Sequence, residues 1–306
     1  MILHQIATDV SWQDIVNFEN YGELLPLVRN SLIAGAALGL VGGLVGVFVI
    51  ARDLPFAVHG IAELSFAGGA GALLFGASVV TGSFVGSLTS ALLLALLGLR
   101  ARDRNSVIGV LMPFGLGLGI LFLSLYQGRS ANKFGLLTGQ IVAIDDTSLT
   151  TLLITGTGVT AILLVLWRPL MFASVDPEVA VARGIPVRLL GIAFMLLLGC
   201  TVAISVQVVG ALLVLALLAT PAAAAGRVSS SPIGVPLLSM AFALVSMVGG
   251  ILLAMGTAIP ISPYVTTISF LIYLVCRVVG PLSSRRSRRT GSLPPTTAPA
   301  PAPVTP

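Results

Sequence analysis

The stretch "SLIAGAALGLVGGLVGVFVIA", residues 31–51, contains no charged side chain and no proline. A bilayer core about 30 Å thick is crossed by about 20 apolar helical residues, so this run alone is long enough to span it. Glycines recur within it at four-residue spacing, Gly39 with Gly43 and Gly42 with Gly46. In lipid, where no hydrophobic force drives helices together, small residues at this spacing let two backbones approach closely. The pattern predicts packing faces and carries no chemistry of its own.

The rest of the chain repeats the theme. Of 306 residues, 56% are hydrophobic and 9% charged, and the mean hydropathy is +1.06. That composition excludes a soluble globular domain. Apolar runs at about 27–51, 55–76, 78–99, 106–126, 147–167, 189–206, 208–225, 233–256 and 263–280 predict an all-α polytopic membrane protein of eight to nine spans. The second and seventh runs are diluted by Gly, Ala and Pro, and either is compatible with a half-buried or broken helix.

A net charge of +5 points to nucleic acid only in a soluble protein; here the basic residues sit between and after the spans. With the N-terminus outside, Arg52, the Arg100/Arg102/Arg104 cluster, Arg168, Arg183, Arg188, Arg227, Arg277 and the tail arginines fall on the cytoplasmic side. The expected location is a cell membrane, crossed several times, with the C-terminus cytoplasmic. Acidic residues and the lack of a basic n-region argue against a signal peptide at the N-terminus. The expected organisation is an extracytoplasmic segment (1–26), a membrane domain (27–281) and a basic, Pro-rich, disordered tail (282–306). Cys200 and Cys276 lie far apart in apolar runs, without metal or redox spacing.

Three stretches outside this plain pattern carry information. In "RPLMFASVDPEVAVARGIPVRLLG", residues 168–191, Asp176 followed by Pro177 and Glu178 reads as a helix start, and Gly184 before Pro186 as its end. A short helix across the cytoplasmic mouth follows, with Val175, Val179, Ala182 and Ile185 available as an apolar side. In "VQVVGALLVLALLATPAAAAGRVSSSP", residues 206–232, Pro221 predicts a kink or early stop. In "GLLTGQIVAIDDTSLTTLL", residues 135–153, Asp145 and Asp146 read as a capping pair at a helix N-terminus.

Together these stretches resemble, in order and spacing, the membrane subunits of ABC importers for zinc, manganese and iron. Asp176, Ala180 and Gly184 fit that family's D-x-x-x-A-x-x-x-G loop. Val209, Gly210, Leu212, Leu213, Leu217, Leu218, Pro221, Ala222 and Ala225 fit its V-G-x-L-L-x-x-x-L-L-x-x-P-A-x-x-A segment. Residues 105–125 and 136–146 also look like their counterparts. The resemblance implies a permease, in a homodimer or pseudo-dimer, served by a cytoplasmic ATPase and an extracytoplasmic metal-binding protein. It makes Asp176, Glu178, Ala180, Arg183 and Gly184 the ATPase-coupling helix, and Gly210 and Pro221 structural motif positions. No G-x-x-x-x-G-K-[ST] phosphate loop occurs in the chain, so ATP hydrolysis is expected in the partner and no enzymatic activity here.

One further stretch, "FAVHGIAELSFAGGAG" (56–71), puts His59 and Glu63 inside the second span. Ionisable groups at membrane depth are costly and face protein or a water-filled path. Four residues apart, they share a helix face. Measured from Arg52 they lie roughly 10 to 16 Å into the core. Imidazole with carboxylate suits zinc, manganese or iron, and two ligands per protomer give four at a dimer axis. The resembled family carries an aspartate and then, four residues later, a histidine here; Glu63 takes the histidine position and His59 the aspartate position. The expected ion is transient cargo, with no permanently bound cofactor. The plain alternative is that the two residues hydrogen-bond each other or a neighbouring helix. An intramembrane protease would need H-E-x-x-H, which is absent. A permease for a metal chelate or other solute, or an ion-coupled transporter acting alone, are the competing functions, and the last leaves the loop helix unexplained.

Overall fold

The computed structural model describes residues 21–97, 101–128, 144–255 and 260–290, with Gly135 and Gly139 between them. The described chain is helical: α1 (Tyr21–Leu27), α2 (Arg29–Ala51), α3 (Pro55–Leu74), α4 (Val79–Leu97), α5 (Ala101–Leu125), α6 (Asp146–Val175), α7 (Pro177–Ala182), α8 (Val187–Val209), α9 (Ala211–Val228), α10 (Gly234–Ala254) and α11 (Ile261–Thr290). Among the described residues, nine of these helices are long and apolar enough to cross a membrane, α1 and α7 being the exceptions.

Most helix ends fall within a few residues of the expected ones, and three depart from them. Helix α6 runs on through Pro169 to Val175, so the first part of the 168–191 loop is helical. Helix α9 likewise runs through the buried Pro221 without stopping. In both, proline removes one N–H donor, and the packed neighbours of a membrane helix tolerate that loss. Helix α11 continues to Thr290, into the segment assigned to the tail; residues 291–306 and the first twenty lie outside the described residues.

The glycine spacing of α2 serves two neighbours at once. A Cβ on Gly43 would lie 2.7 Å from Met240 Cα of α10, and one on Gly46 would strike the Leu218 carbonyl of α9. Ser239 of α10 adds a buried hydrogen bond from its Oγ to Gly43 O at 2.6 Å. Helix α2 is thereby wedged between α9 and α10, backbone against backbone. Helix α3 is held as tightly against α4, where Gly68, Gly82 and Gly86 leave no room for side chains. Ser65 donates across that contact to Ser83 O at 3.1 Å. Although α3 is the least apolar of the nine candidate spans, it is the most buried. Small residues lower its hydropathy because it faces protein, where close approach matters more than lipid affinity.

Helices α2 and α6 run the same way and are joined near both ends. Asn30 Nδ2 donates to Asp146 Oδ1 at 2.8 Å and to Ile144 O at 3.3 Å. At the far end Arg52 Nε donates to Ser174 Oγ at 2.8 Å. The two starts therefore share one end of the bundle and the two finishes the other. Between them lies an apolar groove of about 420 Å³, bordered by Val41, Leu152, Gly156 and Thr160 among others.

Candidate functional site

Helix α3 begins with Pro55 at its first position, and its connection to α2 is a three-residue elbow. There Asp53 takes φ +53, the left-handed region, while Asp53 N and Leu54 N bond back to Ile50 O (3.2 Å) and Val49 O (2.8 Å). This paired reverse bonding is the usual glycine end of a helix, made here by an aspartate. The elbow sets where α3 starts and hence how deep its fifth and ninth residues sit.

Those residues are His59 and Glu63. Their side chains meet at 3.6 Å between Nε2 and Oε1, with the imidazole 27% exposed and the carboxylate 4% exposed. At that distance the two are in ion-pair range and just beyond a hydrogen bond. His59 Nδ1 and Glu63 Oε2 are buried without a hydrogen-bond partner. A buried carboxylate oxygen with no donor is expensive, and a cation is one way to satisfy it. Around the pair, Gly60 faces Ile108 and Met112 of α5, and Gly115 of α5 sits against the Glu63 and Leu64 backbone. Among the described residues no group of three or more His, Cys, Asp or Glu is gathered, so the pair offers two donors from one chain.

The second predicted site is α7. Asp176 caps it, its Oδ1 accepting from Val179 N at 3.0 Å, with Pro177 at the first position. Gly184 ends it at φ +77, its N–H and that of Ile185 returning to Val181 O (2.9 Å) and Ala180 O (3.0 Å). Glu178 and Arg183 are exposed, and the Arg183 guanidinium stands 5.8 Å from the Phe172 ring centroid. Ala180 is fully buried against its own chain, whereas Val175 and Val181 are exposed. The outward apolar residues of α7 are therefore Val179, Val181 and Ala182, with Ile185 half-buried, and Ala180 is the foot on which the helix stands.

Gly210 is the single residue between α8 and α9, at φ 78 and ψ 159, a conformation open to glycine alone. Gly139 packs against Val208 and Val209 beside it. Asp145 caps α6 as expected, accepting from Ser148 N at 3.4 Å, and bonding to the Ser148 side chain first, with the backbone N–H adding to it, holds its carboxyl below the usual range. The sequence reading missed Asn30, Asp53 and Ser174; only Arg52, an arginine at a span's edge, carried any signal, and it was read as a topology marker.

The chain is 30% identical over 226 residues to the manganese transport system membrane protein MntC of Halalkalibacterium halodurans, covering 73% of this chain and 77% of that one. It is 26% identical over 268 residues to the manganese import system permease protein ScaB of Streptococcus parasanguinis, covering 87% and 95%. Its fold is similar to the solved structure of PsaBC from Streptococcus pneumoniae in complex with Fab, with a TM-score of 0.77, 24% identity, and 88% and 99% of the two chains covered. The ABC 3 transport family profile matches residues 25–280, nearly the whole membrane domain, and the chain belongs to that family.

Proposed function

We propose that this chain is the membrane permease of an ABC importer for a divalent transition metal ion, and that His59 and Glu63 contact the ion as it passes. The observation that carries the proposal is the pair itself: imidazole and carboxylate one turn apart, each with a buried, unpartnered polar atom, in the most buried of nine spans. Nitrogen with oxygen suits zinc, manganese or iron, and a site of few ligands binds weakly enough to release its cargo. Manganese is the first ion to test, because relatives at 26–30% identity are named for manganese transport.

ATP hydrolysis belongs to a separate ATPase, which docks on the valine face of α7. An extracytoplasmic binding protein delivers the ion at the opposite end. Two copies of the permease make the pathway, which brings four donors to a shared axis. The N-terminus lies outside and the C-terminus in the cytoplasm; the pairing of α2 with α6 at both ends supports the alternation this requires.

The test is uptake into proteoliposomes holding the permease with its ATPase and binding protein. ATP-dependent accumulation of manganese, zinc or iron is expected, abolished in the His59→Ala/Glu63→Ala double variant. Accumulation of none of the three, with the assembled complex hydrolysing ATP, overturns the proposal.

A further inference from the structure

We propose that Arg52 is a positioning residue that links the α7 docking helix to the His59–Glu63 pair, by pinning the α2–α3 elbow to the end of α6. The inference rests on the reading of α7 as the ATPase contact.

Ser174, the partner of Arg52, lies two residues before the Asp176 cap of α7. Its Oγ accepts from Arg52 Nε at 2.8 Å and donates to Leu170 O at 2.6 Å, so the hydroxyl has a fixed direction. The guanidinium also stands 5.4 Å from the centroid of the fully buried Phe194 ring of α8. Phe194 packs at 5.8 Å on Phe48, one turn before Arg52, and Phe48 meets Trp167 of α6 edge-on at 4.8 Å. Arginine here is held by a hydroxyl and by a ring face, two contacts its planar head satisfies together.

Neither side of this clamp can absorb movement easily. On one side, buried Ala180 and the single residue between α6 and α7 fix the docking helix to the α6 terminus. On the other, the reverse bonds to Val49 and Ile50 and the buried Leu54 fix Arg52 to the start of α3, and Val58 N bonds to Leu54 O at 3.1 Å. His59 follows one residue later. A displacement of α7 toward or away from the membrane is therefore handed to α3 by way of the Arg52–Ser174 hydrogen bond. Ser174 is the point at which it can be cut with least damage to packing.

The test uses the assembled permease–ATPase complex and a reporter cysteine at Phe56, an exposed position on the first turn of α3. Its reaction rate with a maleimide is measured with and without trapped nucleotide, over the background of Cys200 and Cys276. A nucleotide-dependent change is expected in the parent, reduced about fivefold in Ser174→Ala and Arg52→Ala, as loss of a hydrogen bond worth about 1 kcal/mol predicts. Ser174→Thr, which keeps the hydroxyl, retains the response. An undiminished response in Ser174→Ala and Arg52→Ala, or no response in the parent, overturns the linkage. Failure of the docking assignment is read separately, as co-purification of the ATPase unaffected by Val181→Glu.

Discussion

His59 and Glu63 stand one helical turn apart on α3 with 3.6 Å between Nε2 and Oε1, each keeping a second polar atom buried and unpartnered. Glu63→Gln preserves shape and removes charge. It should lower metal uptake by about tenfold or more, in the range seen when a metal's ligand environment is disturbed. The variant should elute and melt as the parent does, because no hydrogen bond to Oε2 is lost. Parental uptake in Glu63→Gln would leave the pair with a packing role only.

On the docking helix, Ala180 and Val181 separate two effects that neighbour each other in sequence. Ala180→Glu forces a charge into a fully buried site and should destabilise the permease itself, lowering its yield and melting temperature in detergent. Val181→Glu changes an exposed residue and should leave stability within about 0.5 kcal/mol while abolishing ATPase co-purification. Equal melting shifts in the two variants would contradict this division.

Asp53 occupies a backbone position where an L side chain is strained. Asp53→Val is expected to weaken the elbow by about 1 kcal/mol or more, and Asp53→Asn, a residue that also tolerates the left-handed region, by less. The check is thermal unfolding of the purified protein, in which the valine substitution should lower the midpoint further than the asparagine one.

The cap of α6 gives a pH test. Ser148 bonding holds the Asp145 carboxyl below its ordinary value, so the stabilisation is present above the unfolded-state pKa of about 3.9 and is lost as pH falls through the lower folded value. Asp145→Asn keeps an acceptor and should melt like the parent at neutral pH, with a weaker loss on acidification. Asp145→Ala should cost about 1 kcal/mol at neutral pH. The comparison is a set of melting curves from neutral to acidic pH; indistinguishable acid sensitivity in the parent and Asp145→Asn would refute the assignment.

Tight packing of α2 can be tested against an open position on α6. Gly46→Val should cost about 1 to 3 kcal/mol, because its side chain meets the Leu218 carbonyl, which cannot yield without moving α9. Gly158→Ala meets nothing within 4 Å and should be neutral or stabilising by up to about 1 kcal/mol. Yield after detergent extraction and thermal midpoint distinguish them.

The architecture was legible in the sequence because each cue was local. Apolar runs marked the spans, Asp176 with Pro177 and Gly184 marked α7, and Asp145 marked the start of α6. His59 and Glu63 likewise stood out as candidates by being ionisable where lipid forbids it. What escaped detection was either long-range or conformational. The Arg52–Ser174 bond joins residues 122 apart, and nothing around Ser174 distinguishes it from a serine bonded only to its own helix. Asp53 sits where glycine is the expected residue. Pro221 allowed an early stop in α9, which instead runs on to Val228, and Ala180 gave no local sign of which way it faces.

The pairing of α2 with α6 has a mechanical meaning. Helix α2 has 23 residues and α6 has 30, a difference of about 10 Å in length, yet the two are tied near both ends. The groove of about 420 Å³ lies along the stretch that the two ties bracket. Tied at both ends, α2 and α6 form a single strut, so a pull at the α7 end is borne by both helices and reaches the elbow that follows α2.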